Sequence, residues 1–229
     1  MAARFVEAFT QILAWFYRKQ TVRVSPGVVK VNLGSGLQVA PGWINVDGSL
    51  SALAAQLPAP MAKVVYRWTS MRRWHTLENY ASILKSNRFV FHNLLYGIPF
   101  ADNSIDVIFS SHFLEHLFKE QAQAVLREAH RTLRRGGRIR IIVPDLAYAF
   151  ALYQQGAKEK ALDLFYLESC ARQLGTHKYL YDYALIERAL IHAGFQQVEQ
   201  CAFQVGHIPD LDVLDNRPDQ SLYVEAVKP

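Results

Sequence analysis

Apolar residues in this chain follow two periodicities. Short, β-branched runs alternate with stretches in which apolar positions recur every three or four residues. The runs are Val28–Leu33, Trp43–Val46, Phe89–Phe91, Asp106–Phe109, Arg138–Val143, Gln197–Phe203 and Ser221–Val227, and they predict seven strands. Helical spacing covers residues 1–20, where Phe5, Phe9, Ile12 and Phe16 share a face. It recurs over Lys119–Arg135, with Ala122, Val125, Leu126, Ala129 and Leu133 as the stripe. Arg134 and Arg135 are expected in the last turn of that helix, at the negative end of its dipole, and Gly136-Gly137 to stop it. Further helices are predicted through Tyr148 and Leu152, over Lys158–Gln173 and over Tyr183–His192, the last ended by Gly194. Strands separated by helices predict an α/β chain with a doubly wound, mostly parallel sheet.

The stretch from Val28 to Asp47 adds chemistry to this pattern. Its first strand ends in Gly34-Ser35-Gly36, and its second ends in Asp47. Glycines let a ligand lie against bare backbone. A carboxylate at the next strand end can hold ribose hydroxyls. The competing reading is an ordinary tight turn. A dinucleotide fingerprint wants a small third residue, where Val39 stands, and an acid about 20 residues on. Here the acid comes 13 residues after Gly34, and Ala40-Pro41-Gly42 shortens the crossover. The spacing disfavours a nicotinamide cofactor and suits a shorter, monoadenosyl ligand.

Other polar groups cluster at strand ends. His112, Glu115 and His116 follow the central strand at i, i+3, i+4, so a helix there would put all three on one face. A metal needs a fourth ligand that the sequence does not supply, and no metal site is assigned. One histidine is expected to face an acceptor and the other to be structural. Asp145 ends the next strand and is either a group acting on the acceptor or the N-cap of the helix that follows. His177 stands among aromatics at 175–183, either orienting an acceptor or pinning the loop. Residues 61–92 form a basic, aromatic insert: Lys63, Arg67, Arg72, Arg73, Lys85 and Arg88 against Glu78, with Tyr66, Trp68, Trp74 and Tyr80 interleaved. It reads equally as a packed excursion with solvated charges and as an acceptor site. The acidic loop Gly206–Asp219 lacks the calcium-loop pattern.

Composition narrows the classes. The chain has 229 residues, 51% apolar and 20% charged, with net charge +5. That suits one sizeable α/β domain over residues 21–229, preceded by the 1–20 helix, and makes nucleic acid an unlikely partner. Cys170 and Cys201 have no metal spacing, and the N-terminus lacks a signal-peptide pattern, so a reduced, cytoplasmic protein is expected. No run is long enough to span a membrane. Peripheral membrane contact through residues 1–20 stays open, because Arg4, Arg18 and Lys19 flank large aromatics.

Three blocks carry a family resemblance. Asn32–Asp47, "NLGSG…PGWINVD", resembles the first motif of class I S-adenosylmethionine-dependent methyltransferases, and of bacterial type 11-like members in particular. The segment from Gly97-Ile98-Pro99-Phe100 to Asp106, with Leu114-Glu115-His116 beyond it, is similar to the second. "LRRGGRIRIIVPDL" and the "H.W.YD"-like His177–Asp182 complete the series. Asn32 stands for the family's acid before the glycines, Gln38 for its third glycine and Asn93 for its adenine-side acid.

The resemblance implies a seven-stranded sheet with the last strand reversed and inserted. It implies S-adenosylmethionine as cofactor, held by Asn32, Gly34, Ser35, Gly36, Asp47, Asn93, Leu94 and Ser111. Candidate bases are His112, His116 and Asp145, in that order. Related proteins are linked to surface-glycan assembly, so the implied acceptor is a sugar or other small molecule. Two other classes compete on the residues: an NAD-dependent oxidoreductase, which Val39 and the early Asp47 disfavour, and a non-catalytic adenosyl-binding protein, which Asn32, Gln38 and Asn93 allow.

Overall fold

The structure is a computed structural model that describes residues 2–166 and 176–229, the side chains of residues 2–9, 59 and 70 excepted. Its centre is a seven-stranded sheet in the order β3-β2-β1-β4-β5-β7-β6. The strands are β1 (Lys30–Leu33), β2 (Ile44–Asp47), β3 (Arg88–Phe91), β4 (Ile105–Ser111), β5 (Leu133–Pro144), β6 (Gln196–Cys201) and β7 (Ser221–Val227). β1 pairs in parallel with β2 and β4, β2 with β3, and β4 with β5. β7 lies antiparallel between β5 and β6, with Ser221 opposite Pro144 and Val227 opposite Arg138. The order reverses at β1 and β4, which opens a crevice at their carboxyl ends, where such sheets bind ligands.

Helices cover both faces. They are α1 (Ala2–Tyr17), α2 (Leu50–Ala54), α3 (Ala59–Trp68), α4 (Leu77–Ser86), α5 (Lys119–Thr132), α6 (Leu146–Gln154), α7 (Lys158–Phe165), α8 (Tyr183–His192) and α9 (Leu211–Leu214). The strands read as near-continuous apolar runs because both sheet faces are buried. Val31, Leu33, Val46, Ile108, Ile139 and Ile141 fill one core layer with the stripe of α5 and with Ile186 and Leu190 of α8. A second cluster, under the β3 edge, joins Ala14 of α1 to Ala52, Tyr80, Leu84 and Phe91.

Three sequence expectations need correction. The helix over Lys119–Arg135 stops at Thr132, because Leu133 turns to extended backbone and pairs with Ile105. Burying Leu133 in the sheet wins over continuing the helix, and Arg134 bonds Asp106 at 2.8 Å instead of capping a dipole. Of the face shared by Phe5, Phe9, Ile12 and Phe16, the two members whose side chains are described, Ile12 and Phe16, do not pack inward. Leu13 and Ala14 pack inward, Tyr17 stacks edge-on against Phe91, and Ile12, Trp15 and Phe16 are exposed. The third correction, at His112–His116, belongs to the site. Residues 61–92 form α3, a 3-10 turn at Ser70–Arg73 and α4. Their aromatics divide: Tyr66 and Tyr80 meet at 5.5 Å in the second cluster, whereas Trp68 and Trp74 are exposed with the arginines. Two of the four Gly206–Asp219 acids are pinned to the sheet, Asp210 by Lys30 at 2.6 Å and by the Trp43 indole, and Asp215 by Arg140. Those donors hold the Asp210 carboxyl below its usual range. Cys170, Gly175 and the part of the Lys158–Gln173 helix beyond residue 166 lie outside the described residues.

Candidate active site

The carboxyl ends of β1, β2 and β3 gather the glycine loop, Asp47 and Asn93. Gly34 and Gly36 adopt positive φ, of 66° and 51°. The two glycines are needed for different reasons. A Cβ at Gly34 would collide with the Phe113 ring, whereas a Cβ at Gly36 would meet nothing within 4 Å. Gly36 is therefore exposed backbone facing open space. Asp47 Oδ2 accepts from the Gly36 N–H at 2.9 Å, and its Oδ1 accepts from the Ser49 N–H at 2.7 Å. The carboxylate thus stands beside the loop with lone pairs left for further donors. Asn32 is only 2% exposed and braces the loop from behind, donating to the Gln38 carbonyl at 2.8 Å. Ser35 and Leu94 are buried. Asn93 receives the Leu95 N–H and Ser111 bonds Asn216, both half-buried. An open glycine backbone next to a carboxylate fits an adenosyl ribose, so these residues suit S-adenosylmethionine.

Beyond β4 the chain does not form the α-helix that would put His112, Glu115 and His116 on one face. His112 has a left-handed backbone, φ 50°, and Leu114–His116 is one 3-10 turn. The His112 N–H bonds the Ile142 carbonyl, which carries the chain along β5 before it can coil. His112, Glu115 and His116 therefore do not share a helix face. The His112 ring lies between two partners. Nδ1 is 3.2 Å from Glu115 Oε1, and Nε2 is 3.3 Å from Ser221 Oγ. Since a carboxylate only accepts, Nδ1 carries the hydrogen and Nε2 is the acceptor. Glu115 is fully buried. His112 lines a cavity of about 230 Å³ with Tyr148, Lys160, Asp163, Arg217 and Gln220.

The other candidates take different places. Asp145 is the N-cap of α6, accepting from the Ala147 N–H at 2.9 Å. His116 Nδ1 lies 3.3 Å from the Thr176 carbonyl. His177 Nδ1 lies 2.6 Å from the Leu164 carbonyl, and burial pushes this imidazole below its usual pKa. Sequence reasoning missed Ser221 and the cavity's Tyr148, Lys160, Asp163 and Arg217. The antiparallel insertion of β7 brings Ser221 opposite Pro144, a pairing with no local signal.

Comparisons with known proteins agree with this geometry. Residues 50–141 match the family described as a methyltransferase domain. No curated protein matches the sequence. Among solved structures, an S-adenosylmethionine-dependent methyltransferase from Archaeoglobus fulgidus superposes with a TM-score of 0.52 at 17% identity, over 97% of this chain and 94% of that one. A structure described as a possible exported protein from Bordetella parapertussis superposes at 0.53 and 15% identity, over 99% of this chain and 67% of that one. These two likenesses concern the fold. The sheet order with its reversed β7, the glycine loop facing Asp47 and the methyltransferase domain matched over residues 50–141 agree in supporting a class I S-adenosylmethionine-dependent methyltransferase fold.

Proposed function

We propose that the chain methylates a hydroxyl of a small, polar acceptor, such as a sugar, with His112 as the base. The cofactor supplies an activated sulfonium methyl. The protein's share is positioning, desolvation and removal of a proton. On this reading Gly34, Ser35 and Gly36 lie against the cofactor, Asp47 accepts its ribose hydroxyls, and Asn93 and Leu94 flank its adenine, with Asn32 and Ser111 shaping the pocket. The observation that carries the acceptor reading is the Glu115–His112–Ser221 chain at the cavity wall. Buried Glu115 fixes the tautomer, so Nε2 can take a proton while the imidazolium formed is stabilised. The hydroxyl proton goes to Nε2 as the oxygen–carbon bond forms and the carbon–sulfur bond breaks. Lys160, Arg217, Gln220 and the Tyr148 ring supply groups suited to a hydroxylated acceptor. His116 and Asp145 stand behind His112 as bases, because each is held by backbone.

Tritiated-methyl transfer over a panel of sugars, glycans and small alcohols tests the reading. His112→Ala should lower kcat by about 10²–10⁴-fold with S-adenosylhomocysteine affinity unchanged. Full turnover by that variant removes His112 from the chemistry.

A membrane-linked glycan acceptor is a second reading, and exposed aromatics favour it. Ile12, Trp15 and Phe16 (68% exposed) project from α1 beside Arg18, whose guanidinium lies 3.7 Å over the Trp15 ring. No helix among the described residues is long and apolar enough to cross a membrane.

A further inference from the structure

The pair Glu115-His116 and the distant His177 meet in space. A Glu115 carboxylate oxygen and one ring nitrogen from each histidine all lie within 4.8 Å of one another. The two rings are 5.2 Å apart between centroids. Glu115 is 0% exposed, and although its Oε1 receives the His112 hydrogen bond, its Oε2 has no partner among the described residues. A buried carboxylate oxygen without a donor is costly and calls for an explanation.

The histidines are also oriented for ligation. Nδ1 of His116 and Nδ1 of His177 each face a backbone carbonyl, Thr176 and Leu164 respectively. A carbonyl accepts, so both Nδ1 atoms carry the hydrogen and both Nε2 lone pairs stay available. This is the outer-shell arrangement that fixes metal-binding imidazoles. The backbone holds the two segments in register, since the Glu115 carbonyl accepts from Lys178 N at 2.7 Å and from Tyr179 N at 3.3 Å.

From this geometry we infer that Glu115, His116 and His177 bind a divalent transition metal of the zinc type. Two imidazole nitrogens and one carboxylate oxygen are a borderline donor set that suits zinc over magnesium or calcium. Tetrahedral ligation places donor atoms about 3.4 Å apart, so the half-exposed rings of His116 and His177 close slightly on the ion. Three protein ligands leave one position for water or an acceptor oxygen, beside the cavity that His177 and His112 line. Glu115 then serves two neighbours, the metal through Oε2 and the His112 hydrogen through Oε1. The inference rests on the side-chain geometry and is independent of methyl transfer.

Equilibrium dialysis of the full chain against Zn²⁺, with the metal counted by elemental analysis, tests it without any turnover. One equivalent should bind. His116→Ala and His177→Ala should each weaken Zn²⁺ binding about a hundredfold, while His207→Ala, at an exposed site elsewhere, should not. Co²⁺ substitution should give absorption bands of four-coordinate geometry that both ligand variants lose. S-adenosylhomocysteine affinity and circular dichroism should be the same in all variants, which separates lost ligation from lost fold. No Zn²⁺ bound by the wild type, or binding by the two ligand variants as tight as that of the wild type, overturns the site.

Discussion

The Asp47 carboxylate accepts from the Gly36 N–H at 2.9 Å, joining the end of β2 to the loop after β1. One side chain therefore shapes the glycine loop and, on the proposed reading, would also hold the cofactor's ribose. Asp47→Ala removes charge-assisted hydrogen bonds worth about 1.5–3 kcal/mol. S-adenosylhomocysteine affinity, measured by calorimetry, should fall roughly ten- to a hundredfold, with NAD binding weak or absent throughout. Asp47→Asn, which keeps an oxygen for Gly36, should lose less. An unchanged dissociation constant in Asp47→Ala would place the residue outside the site.

Arg140 is fully buried in mid-sheet. It donates to both oxygens of Asp215, at 2.9 and 2.5 Å, and to Glu225 at 3.0 Å. Its remaining hydrogens go to the carbonyls of Ala202 and Val205. Removing one partner of such a network strands the others, so Arg140→Ala should cost about 3–5 kcal/mol in urea unfolding. Replacing Arg140, Asp215 and Glu225 together with apolar residues should recover most of that loss. A mild effect of Arg140→Ala alone would show that water reaches the two carboxylates.

Stability should fall in mild acid through His92. This ring is buried, with Nε2 3.0 Å from the Gly97 carbonyl and Nδ1 3.1 Å from Gln20 Nε2, and burial holds its pKa below 6.5. The Gln20 amide donates to Nδ1, so a proton there would set two donors face to face. The unfolded chain takes up that proton near pH 6.5 and the folded chain does not. The unfolded state then binds more protons, and stability drops below about pH 6.5 by up to ~1.4 kcal/mol per pH unit for each such group. His130, also depressed by burial, adds to the slope. His92→Gln should flatten the dependence between pH 7 and 5. An equal slope in the variant would assign the effect to other groups.

The exposed aromatics give a separable prediction. Co-sedimentation with anionic vesicles should detect the wild type at low salt, and Trp15→Ala combined with Phe16→Ala should release it. Arg72→Ala with Arg73→Ala, both at exposed positions, should weaken the salt-dependent part alone. Wild type that stays in the supernatant at low salt would leave a soluble acceptor as the working choice.

Local pattern carried the elements because each is a periodicity problem. The strands of Val31, Val46, Ile108 and Ile141 and the stripe of α5 read directly from apolar spacing. The glycine loop and Asp47 were legible for the same reason, since both lie at strand ends that a single segment defines. What the sequence could not decide is where competing local and long-range demands meet. Leu133 belongs to the periodic stripe of α5 and to the strand opposite Ile105, and only the sheet settles which. His112–His116 has helical spacing, yet the Ile142 carbonyl draws His112 into a left-handed turn and spoils it. Ser221, Glu115 and His177 come from segments more than 40 residues apart, and the reversed β7 and the backbone bonds at Glu115 place them around one ring and one orphaned oxygen. Burial acts over contacts of a few ångströms in space, whatever the separation in sequence, so these relationships exist only in the folded chain.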